Sequence, residues 1–288
     1  MTASAVPSVP SPASTAPSAP GSVGRYAVAL VVTVAAILSQ YVVPQSFPAT
    51  LVLYGNLPGD LFVVYGIPVL AFAFLVGAGP LRGWASHLRL ATVEGLSWFG
   101  VLSLLGFLVV LALAIAYEVV DPSALTQLSK QNPVLTAAAG DPWFWVGFSF
   151  VIGAFEETIF RGWVFGFWRN RTTSWIVPAT WTSILFAGVH LYYGTTYGAA
   201  APLIFPELFF LGFAFAATYQ ASGGNLVVVA LLHGATDATV FLTLINLGVG
   251  EALHYLLILV GAVIGAVYFL RRKEPVFVRP WANPTPAD

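Results

Sequence analysis

The sequence has no cysteine and very little charge: Lys, Arg, Asp and Glu together make up 8% of its 288 residues. The first absence excludes disulfides, thiolate metal sites, a cysteine nucleophile and any lipid attached through sulfur. It leaves the redox compartment open. The second absence excludes an ordinary soluble fold, because soluble domains carry about 25% charged residues to hydrate their surface. A net charge of −1 supplies no field that would gather nucleic acid or an acidic ligand. The first two dozen residues also lack the positive n-region and continuous apolar core of a secretory signal. Residues 1–24 are instead rich in Pro, Ser and Ala and are expected to be a disordered tail.

The excess is apolar. Hydrophobic residues make up 58% of the chain, and mean hydropathy is +0.84. Runs long enough to span a bilayer, about 20 residues, recur eight times, over 25–43, 60–78, 96–119, 142–168, 175–194, 200–219, 225–247 and 250–270. The expected fold is all-α: a polytopic membrane helix bundle of about eight transmembrane helices within 25–270, followed by a basic and then Pro-rich tail at 271–288. No internal repeat accompanies these runs.

The basic residues orient this topology. With the N-terminus in the cytoplasm, Arg25, Arg82, Arg89, Arg169, Arg171, Arg271, Arg272, Lys273 and Arg279 all fall on the cytoplasmic side. Lys130 falls outside and Arg161 lies within a span. The positive-inside rule predicts this asymmetry, and moving to seven spans would spoil it. A multi-pass protein of the cell membrane with both termini cytoplasmic is expected.

An ionisable side chain inside a bilayer is costly and therefore has a reason to be there. Three groups stand out. Phe155-Glu156-Glu157-Thr158-Ile159-Phe160-Arg161 lies in the fourth run. Glu157 and Arg161, four apart, share a helix face and can form an internal ion pair, while Glu156, rotated by about 100°, can point into a different space without a cationic partner. Adjacent carboxylates in different environments can take different roles, or both can serve a structural ion pair. The second group is Phe186-Ala187-Gly188-Val189-His190 in the fifth run, where Phe186 and His190 share a face and Gly188 permits close helix approach. The third, His233-Gly234-Ala235-Thr236-Asp237, puts His233 and Asp237 one turn apart on the seventh run. Taken singly, either histidine is also compatible with a satisfied, purely structural hydrogen bond.

Depth joins the three groups. At a rise of about 1.5 Å per residue from each cytoplasmic end, Glu156 lies about 18 Å deep, His190 about 22 Å, His233 about 12 Å and Asp237 about 18 Å. Three helices thus deliver their polar residues to one layer near the midplane. Glu207, after Pro206 in the sixth run, falls at a similar depth and is a candidate accessory residue.

These residues resemble a known family, the intramembrane CAAX-processing and bacteriocin-processing proteases, related to the type II CAAX prenyl endopeptidase. Its pattern of Glu-Glu-x-x-x-Arg, Phe-x-x-x-His and His-x-x-x-Asn/Asp corresponds to Glu156, Glu157 and Arg161; Phe186 and His190; and His233 and Asp237. The resemblance covers roughly 95–247, the expected protease core, and the first two runs add nothing to it. It implies that Glu156 and His190 activate a water, that His233 and Asp237 line the oxyanion side, and that Glu157 and Arg161 fix the helix and orient the site. The implied partner is a membrane-associated peptide or protein, processed in the CAAX or the leader/bacteriocin manner.

The third motif departs from the commoner form, since many members carry Asn where this chain has Asp237. An ionised Asp repels an oxyanion, whereas a protonated one donates to it. Alternatively, Glu156, His190, His233 and Asp237 surround a divalent ion, most naturally zinc, which accepts such an N/O ligand set. The resemblance leaves both mechanisms open, and no cofactor is certain. Two other functions compete. A catalytically silent immunity or scaffold protein would keep the motifs without the reaction. An ion-coupled transporter would use buried Glu, His and Asp as a proton path, with Pro178 and Pro206 breaking helices.

Overall fold

In the computed structural model, two helices begin where a side chain accepts from their first amides. Asp141 caps the fourth helix, its side chain accepting from the Phe144 N–H at 3.0 Å, with Pro142 in the first turn. Asn225 caps the seventh in the same way, through the Val228 N–H at 3.2 Å. The structure describes residues 23–46, 59, 61–77, 93–120, 141–190 and 201–271. Among these residues it is all-helical, with eight helices: α1 Val23–Ser46, α2 Phe62–Leu75, α3 Val93–Val120, α4 Pro142–Arg169, α5 Ile176–Val189, α6 Ala201–Ala221, α7 Leu226–Ile245 and α8 Leu247–Arg271. The tails 1–22 and 272–288 lie outside the described residues, as do Arg82, Arg89, Lys130, Arg272, Lys273 and Arg279.

The eight expected runs each correspond to one helix, but not all as full spans. Helices α3, α4, α6, α7 and α8 are long and apolar enough to cross a membrane, whereas the apolar stretches Val23–Ser39, Phe62–Leu75 and Ile176–Val189 are shorter. The expectation of a fifth span over 175–194 is corrected on one point. Helix α5 stops at Val189, and His190 is its C-terminal cap, with φ −94° and ψ 0°. The catalytic candidate sits at a helix end rather than mid-span. Neither proline breaks a helix as the transporter reading supposed. Pro178 occupies the first turn of α5, and α6 runs continuously through Pro206.

Burial is inverted relative to a soluble protein. Arg161 and Glu157 are fully buried, while Leu253, Leu256, Leu259 and Val263 on α8 and Leu105, Leu108 and Leu111 on α3 are exposed. Such an exterior suits lipid, and the protein is read as a multi-pass membrane protein.

Small residues set the helix contacts. On α3, Gly100 meets the Gly261 backbone of α8 so closely that neither position has room for a Cβ. Thr218 of α6 donates to the Gly95 carbonyl of α3 at 3.1 Å, and Tyr268 of α8 to Glu94 at 3.0 Å. Helices α4 and α7 run antiparallel, with Phe150 against Gly234, Gly153 against Ala230 and Trp145 stacked on Phe241 at 5.6 Å. Tyr26 near the start of α1 stacks on Phe167 near the end of α4. Trp98 near the start of α3 meets both Phe269 near the end of α8 and Trp175 before α5. Arg169 at the end of α4 donates to Gln220 at the end of α6. These contacts put Val23 and Arg271 at the same end of the bundle.

Two apolar clusters form the core. One collects Tyr26, Phe72, Phe160, Trp163 and Phe186, and the other Phe99, Phe165, Phe215, Tyr219 and Val229. Helix α4 contributes to both, and its carboxylates lie along the seam between them.

Candidate active site

The site is built on α4, whose middle is not α-helical. From Thr158 to Phe165 the helix widens into π turns before returning to α-helix at Gly166–Arg169. The glutamate pair stands immediately before this widening, and π turns recur at functional sites because they re-aim side chains locally. Across from it, Gly153 and Gly234 let α4 and α7 approach closely. A Cβ on Gly153 would lie 2.8 Å from the Ala230 carbonyl and 3.2 Å from the His233 Cβ. That approach carries His233 to the carboxylates.

Arg161 Nη1 donates to Glu157 Oε1 at 2.8 Å, and its Nη2 donates to the Gly212 carbonyl of α6 at 2.6 Å. The guanidinium lies 5.0 Å from the Phe186 ring centroid and 5.2 Å from that of Phe215, between the two apolar clusters. The i,i+4 pair read from the sequence is present and has no exposed side-chain surface. Glu157 Oε1 has a second partner, His233 Nδ1, at 2.7 Å. Since the carboxylate accepts, Nδ1 carries a proton, and the ring is further held by Phe215, stacked at 4.7 Å. Glu157 therefore orients His233 as well as pairing with Arg161.

The other ring nitrogen, His233 Nε2, points between two carboxylates, at 3.5 Å from Asp237 Oδ2 and 3.7 Å from Glu156 Oε2. Both separations are too long for direct hydrogen bonds. Glu156 Oε1 accepts from the Tyr65 hydroxyl of α2 at 3.1 Å, whereas Glu156 Oε2 is buried with no hydrogen-bond partner among the described residues. His233 and Glu156 are buried and Asp237 is 28% exposed in its side chain, so the site opens on the Asp237 side. His190 Nδ1 lies 2.7 Å from the Phe186 carbonyl, to which it donates. Phe186 links the two histidines, with its ring centroid 4.8 Å from that of His190 and 5.8 Å from that of His233.

The structure thus gathers Glu156, Glu157, Arg161, His233 and Asp237 into one connected set, with His190 joined to it through Phe186. Gly188 does not play the part expected of it. Among the described residues nothing lies within 4 Å of where its Cβ would be, and α5 is approached instead by Gly212, opposite Ser183 and Phe186. Glu207 on α6 is exposed and belongs to no contact of the set. Tyr65 was not legible in the sequence, since it belongs to no local motif and lies 91 positions before its partner.

Among the described residues no three His, Asp or Glu side chains are disposed to hold one metal ion. The atoms that face one another are His233 Nε2, Glu156 Oε2 and Asp237 Oδ2, with Nε2 3.7 Å and 3.5 Å from the two carboxylate oxygens, while the Nδ1 of each histidine is held by a carboxylate or a carbonyl.

Residues 138–239 match the protein family described as Type II CAAX prenyl endopeptidase Rce1-like. This segment is an Rce1-like domain. It contains every residue of the three motifs, together with α4, α5 and the part of α7 up to residue 239. Helices α1, α2, α3 and α8 lie outside the Rce1-like domain, and Tyr65 with them. No curated protein and no solved structure matches the chain. Membership of the domain in this family implies a peptidase with a protein substrate, and the buried Glu156, Glu157 and His233 are consistent with a catalytic site.

Proposed function

We propose that the protein is an intramembrane endopeptidase that hydrolyses peptide bonds of membrane-associated peptides or proteins, with Glu156 as the base. The observation that carries this reading is the buried, unpartnered Glu156 Oε2, 3.7 Å from His233 Nε2. Buried polar atoms nearly always have partners, and an acceptor kept open beside an imidazole is suited to the proton of an attacking water. His190, joined to the set through Phe186, shares in activating that water.

As the water's oxygen bonds to the scissile carbonyl carbon, its proton passes to Glu156, and negative charge gathers on the carbonyl oxygen. Glu157 occupies His233 Nδ1, so a second proton on that ring resides at Nε2, facing the gap where a donor to the oxyanion is needed. A protonated Asp237 supplies a further donor at the open side. When the C–N bond breaks, the proton taken from water goes to the leaving amine. Fully buried Glu157 and Arg161 hold this arrangement without touching the reacting atoms.

The proposed setting is the cell membrane, crossed several times, with both termini cytoplasmic. The substrate is of the CAAX type or of the leader/bacteriocin type. The test is cleavage by the reconstituted full chain of two membrane-anchored peptides, one a prenylated CAAX peptide and one unprenylated, in ¹⁸O-labelled water. Cleavage of either, with one ¹⁸O in the new carboxylate, is the expected result. A folded protein that cleaves neither would favour the silent scaffold.

A further inference from the structure

We infer that Tyr65, on a helix outside the Rce1-like domain, is a positioning residue for Glu156. The inference rests on the reading of Glu156 as the base. The Tyr65 hydroxyl donates to Glu156 Oε1 at 3.1 Å, and its ring stacks on Phe155, the neighbour of Glu156, with centroids 5.5 Å apart and planes 20° apart. A carboxylate has two equivalent oxygens and a broad terminal torsion. A donor on one oxygen fixes the plane of the group and defines which oxygen is left. Here the remaining oxygen is Oε2, the one that faces His233. Without the hydroxyl, Oε1 would lose this donor, and the group would be free to turn.

A plain helix tie does not account for the contact. Helix α2 is already docked on α4 by Phe72 stacked on Trp163 at 5.3 Å and by the Trp163 indole N–H donating to the Gly77 carbonyl at 2.8 Å. The local backbone is equally specific. Among the described residues, π turns occur at Phe62–Gly66 and Thr158–Phe165. The first contains Tyr65, and the second begins directly after the glutamate pair. Both departures from α-helix flank this one hydrogen bond.

The test uses the reconstituted full chain and whichever of the two membrane-anchored peptides it cleaves. Tyr65→Phe removes the hydroxyl and keeps the stack on Phe155. The expected result is a kcat lowered by about ten-fold to a hundred-fold, with KM and the thermal midpoint close to wild type. In a Glu156→Asp background the carboxylate is one methylene short of the hydroxyl, so Tyr65→Phe should add no further loss. A wild-type kcat per folded molecule in Tyr65→Phe, whether or not its thermal midpoint falls, overturns the inference, as does an equal loss in both backgrounds. If Glu156→Gln still cleaves at the wild-type rate, the reading of Glu156 itself fails. If Glu156→Gln is inactive while Tyr65→Phe is unimpaired, only the role of Tyr65 fails.

Discussion

Replacing Gly153 with alanine should damage the site from a distance. The added Cβ would meet the Ala230 carbonyl oxygen at 2.8 Å and the Gly234 nitrogen at 2.9 Å, both of them backbone atoms that no rotamer change can move. Ordinary contact begins at 3.4 Å, so α4 and α7 must part by about 0.6 Å. The hydrogen bond from His233 to Glu157, now 2.7 Å, would stretch to about 3.3 Å, beyond the usual range. Overpacking of this kind costs about 1–3 kcal/mol of stability, and a displacement approaching 1 Å costs roughly a hundred-fold in rate. Gly153→Ala should therefore lower the thermal midpoint and reduce kcat by about ten-fold to a hundred-fold. Gly188→Ala is the control. It lies inside a motif, two residues from His190, yet among the described residues nothing stands within 4 Å of its Cβ position. Alanine also favours the helix by about 1 kcal/mol, so this variant should be as stable as wild type and as active. Thermal unfolding in detergent and peptide cleavage on the same preparations decide the matter. A Gly153→Ala protein with wild-type kcat, or a Gly188→Ala protein impaired as badly, would refute the packing argument.

Glu157→Gln and Arg161→Met should each cost about 3–5 kcal/mol, because each takes the opposite charge away from a fully buried ion pair. The exchanged pair Glu157→Arg/Arg161→Glu should not recover that loss, since the new glutamate would face the Gly212 carbonyl and the new arginine His233; recovery of the thermal midpoint in the exchanged protein would count against these contacts. Asp237→Asn should keep or raise activity, because an amide donates without a nearby negative charge, and activity should persist in a strong chelator. Loss of cleavage that added zinc restores would instead place a metal in the site. Reporters fused before residue 23 and after residue 271 should give the same, cytoplasmic, signal, because both ends lie at one end of the bundle and the basic residues favour that side; opposite signals would refute the topology.

Helix positions were legible because membrane solvation leaves little choice. Each apolar run had to become a helix with its amides paired internally, and all eight did. The pairs Glu157–Arg161 and His233–Asp237 were legible too, being one turn apart on single helices. What escaped depends on contacts between helices or on subtle backbone geometry. The reach of Tyr65 to Glu156, the bond from His233 to Glu157 and the carbonyl of Gly212 under Arg161 join residues that no spacing rule connects. The π turns of α2 and α4 leave no mark in an apolar sequence that suits either helix. The end of α5 at Val189 was hidden because the apolar run continues past it. Gly188 misled for the opposite reason: a glycine beside a motif suggests close approach, but the neighbouring helix comes near at Gly212 instead.

Glu156→Gln offers the most direct test of the central claim, because it keeps the size of the side chain and its bond from Tyr65 and removes only the basic oxygen. With the thermal midpoint unchanged, the account predicts that cleavage of a membrane-anchored peptide by the reconstituted protein falls at least a hundred-fold, roughly the lower end of what a general base contributes. A folded Glu156→Gln protein that cleaves at the wild-type rate would contradict it.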